Sequence, residues 1–201
     1  MNRHILRFSS LSCIVCLSIA CLLLSGCSSI KVVETWNSPG QSGHRYQKLM
    51  IVGIGHDENL RKLVENVLVD ELKLNGVAAV ASHTMVKEID SARRDDIVAA
   101  VRTAGADGVI TLRGVAKGDT TVTQDGQSGG IYGTAMNSGG TVLAGARDYS
   151  LATLQTNLYD SATAKLVWSA TIRTNDVGQA ARVSRELARF FLEKLRQDGL
   201  L

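Results

Sequence analysis

The residues of this chain best suited to chemistry lie between positions 53 and 58, where Gly53-Ile54-Gly55 runs into His56, Asp57 and Glu58. A glycine turn between a strand and a helix can present backbone N–H groups to a phosphate, and His56 beside Asp57 can begin an acid–base pair or a metal site. The same few residues oppose each possibility. Glu58 stands where a dinucleotide fingerprint has its third glycine, and two carboxylates at a helix start complement the positive helix end and repel phosphate. The histidines His44 and His83 stand singly with no ligand spacing around them, so no metal and no cofactor is assigned. No nucleophile elbow is assigned: Ser128 stands in a G-x-S-x-G string with Gly126 and Gly130, but Ser128-Gly129-Gly130 has no strand leading into it. Glu71 falls at helical spacing among Leu63, Val67 and Leu74, where a buried carboxylate would mark a site; burial continuing along Leu68 and Leu72 lets it reach water instead. No catalytic residue is assigned. Gly53, Gly55, His56 and Asp57 are kept as a candidate ligand turn, with a tight capped turn as the favoured alternative.

These residues need a strand before them and a helix after them, and the pattern supplies both. Leu49 to Ile54 is a continuous apolar run bounded by glycine, as in a strand buried on both faces. Asp57 caps the next helix, which carries Leu60, Leu63, Val64, Val67 and Leu68 on one face and ends at Gly76. Val77 to Ala81 is a second strand. A helix from Asp90 or Ser91 runs through Ile97, Val101 and Ala104 to Gly105, and Gly108 to Ala116 is a third strand. Tyr149 to Tyr159 and the strand of Leu166, Trp168, Ala170 and Ile172 make an antiparallel hairpin around the turn 160–165. A last helix, from about Asp176 to Gln197, gathers Ala180, Val183, Leu187, Phe190, Phe191 and Leu195 on one side. Arg182, Arg185, Arg189 and Arg196 gather opposite. They suggest a docking stripe for anions, but Glu186 and Glu193 share the arc and favour a mixed solvated face. The fold class is α/β: one domain, a mixed sheet in the order β-α-β-α-β, then a β-hairpin and a C-terminal helix.

Between Gly118 and Gly145 lie eight of the 19 glycines, with only Asp119 and Asp125 as charges, and this segment reads as a loop too poor in core side chains to offset its ordering entropy. Residues 27–47, with Pro39, Gly40 and Gly43, read as a tether in which Ile30 to Trp36 can form a short edge strand, and residues 48–201 as the domain. Trp36 and Tyr132 are the candidates for partner contact, being aromatic residues in segments expected to be exposed; Trp36 can equally cover a sheet edge.

The N-terminus carries a different chemistry. Arg3 and Arg7 precede an apolar stretch from Leu11 to Leu24 that is too short to span a bilayer, and Leu24-Ser25-Gly26-Cys27 follows. These four residues resemble the lipobox of bacterial lipoproteins. The resemblance implies cleavage of residues 1–26, acylation of Cys27 and, with Ser28 rather than Asp next, an outer-membrane address facing the periplasm. Cleavage would leave 175 of the 201 residues, one domain's worth, with no free thiol. Of the 22 basic residues 20 would remain against 19 acidic ones, a balance that argues against a nucleic-acid partner.

With Trp36 and Pro39 ahead of the strand Leu49 to Gly55, Arg61 and Glu65 in the helix, and Leu158-Tyr159-Asp160 to Leu166-Val167-Trp168 as a late hairpin, the chain resembles uncharacterised proteobacterial outer-membrane lipoproteins carrying a domain of unknown function. At fold level it is also similar to the amino-terminal domain of the TolB translocation protein and to the curli-secretion lipoprotein. These likenesses imply a membrane-anchored, non-catalytic module that contacts an envelope protein or assembles with itself. The alternative is a small-ligand or cell-wall-fragment binder using the Gly53–Asp57 turn.

Overall fold

The computed structural model describes residues 29–39, 44–55, 57–89, 94–115, 152–176 and 178–201. Cys27, His56, Tyr132, the start of the second helix at 90–93 and the segment 118–145 lie outside the described residues.

Six strands and three helices follow one another as β1 (Ile30–Asn37), β2 (Lys48–Ile54), α1 (Glu58–Leu74), β3 (Ala78–Ala81), α2 (Arg94–Ala104), β4 (Gly108–Val115), β5 (Ala152–Asp160), β6 (Leu166–Thr174) and α3 (Ala180–Gln197), with a short 3-10 turn at Ser82–Thr84. They form a single mixed sheet in the order β1-β6-β5-β4-β2-β3. β2 runs parallel to both β3 and β4, whereas β4–β5, β5–β6 and β6–β1 are antiparallel.

The apolar run of β2 is buried on both faces because α1 and α3 cover one side and α2 the other. Leu49 and Ile51 join Leu68, Leu72, Ile110, Trp168, Leu187, Phe191 and Leu195 in the larger core, while Met50 and Val52 join Ile97, Val101, Val109 and Tyr159 in the smaller. Gly76 and Gly105 end α1 and α2 at φ +81° and +60°, a conformation that costs glycine nothing. Gly108 is required for a different reason. A Cβ there would come within 2.8 Å of both Leu49 Cδ2 and Tyr46 Cδ1.

Two expectations are corrected. The core-facing line of α1 is Arg61, Glu65, Leu68, Val69 and Leu72, and Leu63 is 42% exposed. The helix is turned so that two charged residues, not Leu63 and Val67, lie inward. Leu166 does not share the face of Trp168. Register shifts between Leu158 and Tyr159 so that Tyr159 pairs with Leu166, leaving Val167 as the extra residue and placing Leu166 against the α2-side core. The edge strand that Ile30 to Trp36 can form is present as Ile30–Asn37, paired with β6 from Ile30–Thr174 to Asn37–Trp168.

Tyr46 is buried beside Leu49, and its hydroxyl donates to Asp160 Oδ2 at 3.4 Å. Burial, then the charge and hydrogen bond of Asp160 and the charge of Asp107, hold the phenol well above its ordinary value. The folded phenol therefore keeps its proton where the unfolded one loses it. The stability this contributes is complete below about pH 10 and lost progressively above it. Urea melts between pH 8 and 11 should show that decline, and Tyr46→Phe should flatten it.

Candidate functional site

Asp57 begins α1 by accepting from the backbone N–H groups of Asn59 and Leu60, both at 3.0 Å, the capping role expected of it. One turn into the helix, Arg61 and Glu65 project beneath the carboxyl ends of β2 and β3. In parallel α/β sheets this is the region where ligands settle. Arg61 is 3% exposed and Glu65 is wholly buried.

The two are bound to each other and to everything around them. Glu65 Oε1 accepts from Gly53 N–H at 2.8 Å, from Ser82 Oγ–H at 2.8 Å and from Arg61 Nε at 3.0 Å. Glu65 Oε2 accepts from His83 N–H at 2.8 Å and faces His83 Nδ1 at 2.9 Å. Facing a carboxylate, that ring nitrogen carries the hydrogen. Arg61 Nη1 donates to both oxygens of Glu58 and to Lys87 O, and Nη2 to Ser82 Oγ and Val86 O. Ser82 thus accepts from the arginine while donating to the glutamate. Every donor of the guanidinium and both oxygens of the carboxylate are in use, which is the condition for a buried ion pair to be tolerated.

This saturation decides what the place can do. The Gly53 N–H that a phosphate would need is held by Glu65, and a Cβ on Gly53 would lie 3.2 Å from Arg61 Cγ, so the turn is close-packed against the helix it introduces. Gly55 and Asp57 lie at the rim, Asp57 exposed and engaged as cap. Glu58 and His83, with side chains 32% and 14% exposed, are the members of this cluster that reach solvent. Among the described residues no group of three or more His, Cys, Asp or Glu is arranged to hold a metal. Sequence reasoning finds Arg61 and Glu65 as a helical pair but misses Ser82 and His83. An i, i+4 Arg–Glu pair followed about 17 residues later by Ser-His is the only trace the sequence carries of the cluster.

The second candidate, Trp36, lies on β1 opposite Ser169, on the sheet face away from Trp168, and is half-buried. β1 is an edge strand. Val32 and Val33 on it are 41% and 46% exposed, and pairing with β6 shifts register between Val32 and Glu34. Trp36→Ala should cost only about 1–2 kcal/mol, since much of the indole already meets water. A urea melt showing a loss as large as that of a fully buried Trp would put Trp36 in the core.

No family model and no curated protein sequence matches the chain. Solved structures overlap with it, among them two forms of one dodecamer. The PelC dodecamer from Paraburkholderia phytofirmans is 13% identical with a TM-score of 0.42, covering 81% of this chain and 94% of that one. A single-substitution variant of that PelC dodecamer, from the same organism, is 14% identical with a TM-score of 0.40, covering 79% and 94%. An overlap of this size is a coarse likeness of chain course. Among the described residues no helix is long and apolar enough to cross a membrane.

Proposed function

We propose that this chain is a lipid-anchored module of the outer membrane, facing the periplasm and held through Cys27, that is non-catalytic and works by contact with an envelope protein or a second copy of itself. The observation that carries the proposal is the contrast between the two candidate places. At the carboxyl ends of the parallel strands, where a ligand would bind, Arg61 and Glu65 direct their hydrogen bonds to each other, Glu58, Ser82, His83 and backbone. At the opposite edge of the sheet, β1 presents exposed Val32 and Val33 and a half-buried Trp36. Edge strands with exposed apolar residues are where pairing with another chain is available. The occupied Gly53 amide weighs against the small-ligand alternative.

Two experiments test the two halves. Cys27→Ser should abolish metabolic palmitate labelling and release the protein from the outer-membrane fraction, because no helix among the described residues is long and apolar enough to cross a membrane. Continued labelling and retention would overturn the anchor. Val32→Lys with Val33→Lys should abolish the cross-linked species formed by the lipidated protein in membranes while leaving the urea midpoint nearly unchanged. An unaltered cross-linking pattern would overturn the edge as the contact.

A further inference from the structure

The described chain begins at Ser29, and that residue is tied to α3. Its backbone N–H and its hydroxyl both donate to Glu186 Oε2, at 2.7 and 2.8 Å. Cys27 is two residues upstream, and two residues of fully extended chain reach no more than about 7 Å. If Cys27 bears the lipid, the anchor therefore has no slack. The bilayer surface must lie close to the middle of α3, whatever the orientation of the rest.

The same stretch of α3 carries the arginine stripe. Arg182 and Arg189 stand one turn to either side of Glu186, where side-chain origins are about 5–6 Å apart, and Arg185 lies on the same outer arc; all three are exposed. The two glutamates on this arc keep their charge, since their donors are neutral, and the arginines of the arc outnumber them. Glu186 accepts from Ser29, and Glu193 accepts from Gln197 Nε2 at 3.2 Å. Arg182 meets Asp176 and Arg196 donates to Asn75 O, whereas Arg185 and Arg189 make no ion pair among the described residues. Two unpaired guanidinium groups thus stand beside the residue from which the lipidated end departs.

We infer that this face of α3, centred on Arg185 and Arg189, is the surface on which the domain rests against anionic phospholipid headgroups. The inference rests on the reading of Cys27 as the acylated residue. Acyl chains supply attachment and the arginines supply orientation, since a basic patch within a Debye length of an anionic surface is drawn toward it and screened by salt. Seated this way, the outer face of α3 lies against the membrane and α2, on the opposite face of the sheet, is turned away from it.

The test uses the full lipidated chain on vesicles of phosphatidylcholine alone and of phosphatidylcholine with phosphatidylglycerol. A nitroxide is placed by Glu193→Cys, one turn beyond Arg189, or by Met85→Cys, between β3 and α2. On anionic vesicles the label at 193 should be at least roughly threefold less accessible to a water-soluble nickel relaxant than on neutral ones, and salt at about 0.5 M should remove the difference. The label at 85 should not respond. Arg185→Glu with Arg189→Glu, two exposed positions, should abolish the protection at 193 while the protein still floats with the vesicles. Flotation with equal accessibility at 193 on both vesicle types would overturn the seating and leave the anchor intact. Equal protection at 193 and 85 would also overturn it. Failure of the unlabelled wild-type chain to float with either vesicle would overturn the anchor and the seating together.

Discussion

Replacing Trp168 by alanine is expected to cost about 3–5 kcal/mol, a large share of the ~5–15 kcal/mol that holds a domain of this size together. Trp168 is 1% exposed, two residues into β6. Phe191 meets it edge-on at a centroid distance of 6.1 Å with the planes at 83°, and Phe190 lies tilted at 6.1 Å. Its Nε1–H donates to Asp198 Oδ2 at 3.1 Å, just past the end of α3. Truncation therefore removes the side chain that joins hairpin to helix, opens a cavity that the neighbouring elements cannot all close, and leaves Asp198 without its donor. Urea unfolding of the variant should show the midpoint falling severalfold further than for Trp36→Ala. A loss below about 2 kcal/mol would mean that α3 can settle onto β6 without the indole.

The second large effect is expected at Glu65. Glu65→Leu leaves Arg61 buried and stripped of its central carboxylate, and removes the acceptor of Gly53 N–H, Ser82 Oγ–H and His83 N–H at once. Breaking one side of a buried pair typically costs about 3–5 kcal/mol, because the remaining charge keeps its desolvation penalty and loses its compensation. Arg61→Met should cost a similar amount for the mirror reason. The double variant should be less destabilised than the sum of the two, since the orphaned charge is then gone, although Gly53 N–H, Ser82 and Val86 O still lack partners. Denaturant melts of the four proteins give the coupling directly. Strict additivity would show that Arg61 and Glu65 stabilise the fold independently.

These two residues also show where the sequence stops being legible. Apolar periodicity scores a helix face by its hydrophobic residues, so α1 reads as a Leu60-Leu63-Val64-Val67-Leu68 surface, of which Leu68 is fully buried, and it gives no sign that Arg61 and Glu65 face inward. Only the placement of Ser82 and His83, brought in by the turn after β3, makes an inward Arg61 and Glu65 tolerable. The candidate ligand turn sits at the right place in the fold but with its amide already taken, a fact that depends on how α1 is rotated against β2. β1 is visible as a stretch able to pair, yet nothing local says that its partner is a strand more than 130 residues away. The same holds for Ser29 and Glu186, separated by 157 positions.

The features readable from the chain alone are those whose physics is local. The apolar run of β2, the Asp57 cap, the helix ends at Gly76 and Gly105, the hairpin of β5 and β6 and the amphipathic α3 each follow from propensity, capping or period within a few residues. Strand order, the rotation of α1, the bulge that turns Leu166 away from Trp168 and the closing of the polar cluster emerge only once the chain is folded. Each of these is set by which distant groups come to share a buried volume. A buried donor or acceptor without a partner costs more than any local preference is worth, so it is the pairing of remote residues, invisible along the chain, that selects among arrangements local preferences leave nearly equal.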